Sequence, residues 1–98
     1  MTIEKNIQNE SVTLAVSGRL DTTTAPELET ALEDAIKSAK ELIFDFEKLE
    51  YISSAGLRVI LKAQKTMNTQ GSMKLINVND SIMEVFEITG FLDIITVE

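Results

Sequence analysis

The chain has 98 residues, 44% of them hydrophobic, with no cysteine and no histidine. This length is at the lower end for one domain, so we expect residues 1–98 to share a single core. The absence of cysteine excludes disulfides, thiolate chemistry and cysteine-based zinc sites. Sixteen acidic against nine basic residues give a net charge of −7, which disfavours nucleic acid and favours protein partners.

The amino terminus is polar and charged where a secretory signal needs an apolar stretch, as Met1–Lys5 illustrates. No apolar run approaches the ~20 residues of a membrane span. We therefore expect a soluble, cytoplasmic chain with no direct membrane insertion.

Two strands are predicted first, at Ile3–Ile7 and Val12–Val16, because apolar and polar residues alternate in both. Ala25-Pro26 marks the first turn of a helix, since proline is best tolerated there. A helical apolar stripe follows, formed by Leu28, Ala31, Leu32, Ala35 and Ile36. Glu41–Phe46 is a β-prone run, which makes it the next strand.

The remaining elements follow in readable order. Residues 48–51 are interpreted as a connector, with Leu49, Tyr51 and Ile52 inserted into the core. The serine pair Ser53-Ser54 begins a second helix that stops near Gly71. Another strand at 73–76, a third helix capped by residues 79–81 and a final strand at 94–97 complete the chain.

The resulting order, ββαβαβαβ, predicts an α/β fold with a mixed, mainly parallel sheet. In such sheets the functional loops gather where strands end and helices begin, because strand carboxyl ends meet helix amino termini there. Two loops qualify, residues 18–24 and residues 52–56.

Residue types argue against catalysis, since without histidine and cysteine the commonest general base and nucleophile are missing. Two alternatives stay open. Ser54 with Lys62 would resemble a serine-lysine hydrolase, and Asp21 with Asp45 could bind a divalent ion. Neither has the spacing that its chemistry requires, so we expect no enzyme, no cofactor and no metal site, with weak nucleotide binding as a minor option.

The serine pair has two compatible interpretations. A serine at a loop-to-helix junction caps the first helical amides. Small neighbours also leave a hydroxyl open to a kinase, and Gly56 is interpreted as allowing a partner's backbone to approach.

The segment Tyr51–Leu61, YISSAGLRVIL, resembles the signature of STAS domains of the bacterial anti-sigma factor antagonist family. Two further motifs, GRLD at 18–21 and FEITGF at 86–91, resemble family motifs in the same order. Together they extend over nearly the whole chain and imply one STAS domain.

The resemblance implies partner switching, in which the unphosphorylated antagonist binds an anti-sigma factor that is also a serine kinase and thereby frees the sigma factor. Phosphorylation ends that binding and a serine phosphatase restores it. Aligned on the motif, the phosphorylated serine is Ser54. The partner-binding residues implied are Asp21, Thr22, Thr23, Ser53, Ser54, Ala55, Gly56, Leu57 and Arg58.

One position departs from the family pattern, because Ser53 stands where relatives have aspartate. Ser53 is therefore a second candidate acceptor, although Ser54 is favoured. A different function, as an accessory subunit docking on a membrane transport complex, would not need a phosphorylated Ser54.

Overall fold

The computed structural model describes residues 1–98, which form one five-stranded mixed sheet and three α-helices. The strands are β1 (Thr2–Gln8), β2 (Ser11–Leu20), β3 (Glu41–Asp45), β4 (Leu49–Ile52) and β5 (Ser72–Ile76). The helices are α1 (Ala25–Ile36), α2 (Ser54–Gln70) and α3 (Asp80–Thr89), and Phe91–Asp93 form a 3-10 turn. The predicted α/β class is confirmed.

The sheet has the order β1-β2-β3-β5, and only the β1–β2 pair is antiparallel. β2 alternates in burial, with Val12, Leu14 and Val16 in the core, because its pleat directs every second side chain inward. The predicted mixed, mainly parallel sheet is therefore confirmed.

β2 is the longest strand and pairs with two parallel neighbours in succession. Its first half pairs with β3, and Gly18–Leu20 pair with β4. The change of register falls at Gly18, whose φ of +90° is a conformation that favours glycine. β2 and β4 consequently end side by side, and a helix follows each.

The predicted connector at residues 48–51 is corrected, since Leu49–Ile52 form strand β4. The strand exists because this short run pairs with the end of β2, a partner about thirty residues away in sequence. Leu49 and Ile52 are buried as predicted, but Tyr51 is exposed: the register against β2 shifts between Gly18 and Arg19, so the two buried residues lie three positions apart and Tyr51, opposite Arg19, is left on the surface.

The predicted final strand at residues 94–97 is also corrected, because only Val97 forms a bridge, parallel to Leu75. The backbone amides of Ile94 and Ile95 both donate to the Phe91 carbonyl, so the chain is still turning there. Too few residues remain for a ladder.

The two long helices pack against each other and against the sheet. α1 buries Leu28 and Leu32, and α2 buries Ile60 and Met67, all within one cluster of 24 hydrophobic residues. None of the three helices combines the length and the hydrophobicity that crossing a bilayer requires.

Candidate functional site

The carboxyl ends of β2 and β4 bring the two predicted loops together. The backbone amide of Ser53 donates to the carbonyl oxygen of Leu20 at 2.9 Å, which fixes the last residue of β2 against the first residue after β4. The loop after Leu20 contains Asp21, Thr22 and Thr23, so these residues and the start of α2 share one edge of the sheet.

Asp21 holds its own loop in place. Its Oδ1 accepts hydrogen bonds from the Thr23 hydroxyl at 2.7 Å, the Thr23 amide at 3.0 Å and the Thr24 amide at 3.2 Å. The Thr24 hydroxyl donates to the Arg19 carbonyl at 2.8 Å and accepts from the Asp21 amide at 2.9 Å. This loop is therefore closed by hydrogen bonds within the six residues 19–24.

These donors also set the charge state of the carboxylate. The Thr23 hydroxyl is the main cause that lowers the pKa of Asp21 below its usual value; the backbone amides of Thr24 and Thr23 act in the same direction and outweigh the opposing effect of burial. Asp21 thus stays ionised at neutral pH while Thr22 and Thr23 remain exposed beside it.

The two serines have different positions and different partners. Ser53 is the N-cap of α2, with φ −96° and ψ 175°, and its Oγ accepts a hydrogen bond from the Gly56 amide at 3.4 Å. Ser54 is the first residue of the helix, is exposed, and its hydroxyl has no hydrogen-bond partner in the chain. Capping therefore belongs to Ser53, although the sequence allowed it for either serine.

Gly56 and Leu57 are buried, so they do not form part of the exposed surface predicted for partner binding. A Cβ on Gly56 would lie 2.7 Å from Cγ of Leu20 and 2.9 Å from Cγ1 of Ile52. The glycine is needed because α2 approaches β2 and β4 closely there, which corrects the interpretation that it admits a partner's backbone.

A shallow cleft of about 330 Å³ joins the amino-terminal ends of α1 and α2. Thr22, Pro26 and Ala55 contribute to its wall, and Arg58 lies one helical turn after Ser54. Arg58 is exposed and has no acidic partner within ion-pair distance. The cleft thus adds an unpaired cation to the surface that contains Ser54.

Arg19 and Tyr51 are surface residues at this edge that the sequence interpretation missed. They face each other across β2 and β4, and the Arg19 guanidinium lies 4.2 Å from the centre of the Tyr51 ring. The signal was available, because Arg19 lies two residues before Asp21 and Tyr51 three residues before Ser54 at the ends of paired parallel strands.

Neither of the two chemical alternatives gains support from the contacts of its residues. The Lys62 ammonium donates to Oε1 of Glu29 at 2.8 Å, and this hydrogen bond is the main cause that raises the pKa of Lys62 above its usual value. A raised pKa makes Lys62 a weaker candidate for the base that would activate Ser54. Asp45 accepts from the Glu47 amide and from Asn77, while Asp21 binds its own loop, and no three potential metal ligands cluster.

Comparison with known proteins identifies the family to which this arrangement belongs. The family described as STAS domain matches residues 2–98. The chain is a member of the STAS domain family. The resemblance predicted from three sequence motifs is confirmed.

Relatives of this STAS domain are anti-sigma factor antagonists. BtrV of Bordetella bronchiseptica, named as a candidate antagonist, is 38% identical over 84 residues, which are 84% of this chain and 72% of that protein. The anti-sigma-B factor antagonist of Listeria monocytogenes is 32% identical over 96 residues, which are 96% of this chain and 84% of that protein. The STAS domain therefore belongs to the anti-sigma factor antagonist family.

Solved structures agree on the fold. The anti-sigma factor antagonist SpoIIAA in its unphosphorylated form superposes with a TM-score of 0.84 over 99% of this chain and 88% of that chain, at 20% identity. Bacillus SpoIIAA in the phosphorylated form superposes with a TM-score of 0.78, over 99% and 91% and again at 20% identity. At this identity the likeness concerns the fold alone.

Proposed function

We propose that this STAS domain acts by partner switching, with Ser54 as its switch. In its unphosphorylated form it binds an anti-sigma factor that is also a serine kinase, and a sigma factor is released. Phosphorylation of Ser54 ends the binding, and a serine phosphatase restores it. The domain acts in the cytoplasm of a bacterium by binding, not by catalysis.

The observation that carries this proposal is the unused hydroxyl of Ser54. It is exposed at the first turn of α2 and donates to nothing in the chain, whereas Ser53 next to it accepts from the Gly56 amide. A kinase can engage Ser54 without breaking a hydrogen bond of the fold. Phosphorylating Ser53 instead would replace the cap of a 17-residue helix.

The proposed binding surface is smaller than the one predicted from the motif. Its exposed or part-exposed members are Asp21, Thr22, Thr23, Ser53, Ser54, Ala55 and Arg58. Gly56 and Leu57 hold α2 against the sheet from within. Asp21 contributes mainly through the shape of its loop, since one of its two oxygens is taken by Thr23 and Thr24.

The phosphorylated state is compatible with the fold. A phosphoserine adds about −1.5 to −2 charges at neutral pH. At a helix amino terminus the dipole stabilises such an anion by about 0.3–1 kcal/mol. Arg58 lies four residues along the same helix, at the spacing that makes side chains neighbours, and is free to pair with it.

The bound state is not compatible with the phosphate. An interface fitted around a bare hydroxyl would have to desolvate the new charge, which costs several kcal/mol. Each 1.4 kcal/mol weakens affinity about tenfold. Phosphorylation would also draw Arg58 to the phosphate and away from the partner. Release of the partner therefore depends on local charge and requires no refolding of the domain.

The test is to mix the purified protein with candidate kinase-type anti-sigma factors and ATP and to locate the phosphate by mass spectrometry. We expect modification at Ser54, none in Ser54→Ala, and continued modification in the matched Ser53→Ala variant. Phosphate on the Ser54→Ala protein would refute the assignment. Capture of a membrane transport component in place of an anti-sigma factor would favour the scaffold function instead.

A further inference from the structure

A second exposed surface lies at the carboxyl-terminal end of α3, away from the Ser54 edge. Three of the five large hydrophobic side chains exposed on the molecule fall within residues 88–94: Ile88 at 78%, Leu92 at 39% and Ile94 at 50%. We call these three residues, with the acidic Glu84 and Glu87, the α3 surface. Isolated exposed hydrophobic residues are ordinary, whereas exposed apolar residues that are grouped on a surface mark interaction sites.

The α3 surface is held in place by buried side chains and by the turn that ends α3. α3 turns Ile82 and Phe86 into the core, so Ile88 faces outward. Gly90 ends the helix in a left-handed conformation, and the ring of Phe91 stacks on Phe86 with 6.3 Å between centres. The helix and the turn that follows it therefore hold these apolar side chains at the surface.

The position of the surface follows from the topology. α3 leaves the carboxyl end of β5, and the chain returns parallel to β5 at the bridge between Leu75 and Val97. α3 must therefore run back toward the amino ends of the strands. Ile88, near its end, lies toward the opposite edge of the sheet from Ser54, so a partner there would not compete directly for Ser54.

Charge decides what this surface can bind. The last 24 residues contain five acidic residues and no basic one, so they carry five of the seven net negative charges. These residues are Asp80, Glu84, Glu87, Asp93 and Glu98, all exposed. A second copy of the surface, an anionic lipid headgroup or a nucleic acid backbone would each be repelled by this concentration of like charge.

We propose that the α3 surface is a docking site for a basic amphipathic helix of a protein partner. Apolar side chains of that helix would cover Ile88, Leu92 and Ile94, and its lysine or arginine residues would pair with Glu84 and Glu87. Such a helix would present its apolar side chains to these exposed residues at helical spacing. The proposal does not depend on phosphorylation, because no residue of the Ser54 edge takes part.

The test uses the isotope-labelled full chain and two synthetic helical peptides of about five turns. One peptide has a leucine face flanked by lysine, and the other has the same leucine face flanked by glutamate. We expect amide signals at residues 84–94 to shift with the lysine peptide and not with the glutamate peptide. Shifts centred on α1 or β1 instead would overturn the proposal.

Matched variants separate docking from general attraction of cations to an acidic protein. Ile88→Ser should weaken the lysine peptide roughly tenfold to a hundredfold, because burying an isoleucine contributes about 1.5–3 kcal/mol. Ile7→Ser, at an isoleucine 52% exposed on β1, should leave its affinity unchanged. Equal effects of the two variants would refute the site.

A second pair of variants tests charge at constant net change. Glu84→Gln with Glu87→Gln should weaken the lysine peptide more than Glu27→Gln with Glu33→Gln, two exposed carboxylates on α1. Equal weakening would reduce the interaction to nonspecific attraction. Sedimentation of the wild type alone is expected to show a monomer, and a dimer lost on Ile88→Ser would assign the surface to a second copy and overturn the proposal.

Discussion

The loop at residues 21–24 and the start of α2 are neighbours at one sheet edge, but their polar side chains behave in opposite ways. Asp21 Oδ1 accepts from two amides and the Thr23 hydroxyl within four consecutive residues. The Ser54 hydroxyl has no partner in the chain, although Ser53 beside it caps the helix. The polar groups of residues 21–24 form hydrogen bonds within their own loop, whereas the Ser54 hydroxyl at the start of α2 remains available.

This difference separates structural support from the proposed function among residues that are all polar and small. A polar group that is hydrogen-bonded within the chain fixes the backbone conformation, and removing it lowers the stability of the fold. An exposed, unsatisfied hydroxyl costs the fold nothing when it is removed and is free for chemistry. Asp21 and Ser53 belong to the first kind and Ser54 to the second, so mutations should separate stability from binding.

The largest expected effect is on partner binding. Ser54→Asp should weaken binding to the proposed kinase-type anti-sigma factor by about a hundredfold or more, because a desolvated carboxylate in the interface costs several kcal/mol. Its melting temperature should stay within about 5 °C of the wild type, since a first-turn acid suits the helix dipole. Calorimetric titration and thermal unfolding measure the two quantities.

Ser54→Asn is the control for that substitution, since it matches aspartate in size and lacks its charge. We expect it to bind more tightly than Ser54→Asp. If the two variants lose affinity equally, bulk rather than charge ends the binding, and the electrostatic account of the switch is wrong.

The next effect is on stability. Gly56→Ala places a Cβ within 3 Å of Leu20 and Ile52 side-chain atoms, so α2 or those side chains must shift. We expect a loss of about 1–3 kcal/mol in the free energy of unfolding, typical of overpacking. Denaturant titration gives this value, and an unchanged midpoint would mean that α2 can move away from the sheet freely.

The Gly56→Ala variant also tests whether phosphorylation at Ser54 depends on the packing of α2. At a temperature where Gly56→Ala remains folded, its phosphorylation at Ser54 should persist, because the hydroxyl lies outside the crowded contact. Loss of phosphorylation in a folded Gly56→Ala protein would show that the kinase reads the packing of α2 as well as its first turn.

A smaller effect distinguishes the two serines. Ser53→Ala should lower the free energy of unfolding by about 1 kcal/mol, the usual cost of losing an N-cap side chain. Ser54→Ala should not lower it, because no hydrogen bond is lost and alanine favours helix. Ser53→Asp should preserve stability, since aspartate and serine are comparable caps. Equal destabilisation by both alanine variants would contradict the division of roles.

The fold class and the meeting of the two loops could be predicted from sequence because they depend on local signals. Alternating apolar residues mark β1 and β2, Pro26 marks the start of α1, and parallel strands collect their following loops at one edge. Those rules placed residues 18–24 beside residues 52–56, and the hydrogen bond from the Ser53 amide to the Leu20 carbonyl joins these two loops.

Nonlocal effects could not be predicted. β4 is four residues long and exists through pairing with β2, so its own sequence indicates only a connector. Residues 94–97 are β-prone, but the turn around Phe91 leaves only Val97 to bridge. Gly56 is required because the Leu20 and Ile52 side chains leave no room for a Cβ, and no sequence motif reveals that contact.

The division between Ser53 and Ser54 was equally out of reach, because the two residues are chemically identical. Only backbone geometry separates them: Ser53 is extended, with ψ 175°, and Ser54 is the first helical residue. A shift of the helix start by one residue would exchange the cap and the free hydroxyl. Sequence could identify the pair, and structure was needed to tell its members apart.

The smallest effect concerns pH and tests the supported side of the comparison. The Thr23 hydroxyl, followed by the neighbouring amides, lowers the pKa of Asp21 in the folded state. A carboxyl with a lowered folded pKa contributes stability that is present above its unfolded pKa and is lost as pH falls through the folded value. The contribution is therefore complete at neutral pH and disappears in the acid range below about pH 4.

Denaturant unfolding of the wild type and of Asp21→Asn, from about pH 7 down to about pH 2, measures that contribution. The wild type should be the more stable at neutral pH, and the difference should shrink as the Asp21 carboxyl is protonated. In Thr23→Val the pKa of Asp21, followed by carboxyl NMR signals, should rise toward its usual value because the main donor is gone. If the wild type and Asp21→Asn are equally stable at every pH, the loop is held by backbone contacts alone, and Asp21 would then join Ser54 among the residues whose polar group is available to a partner.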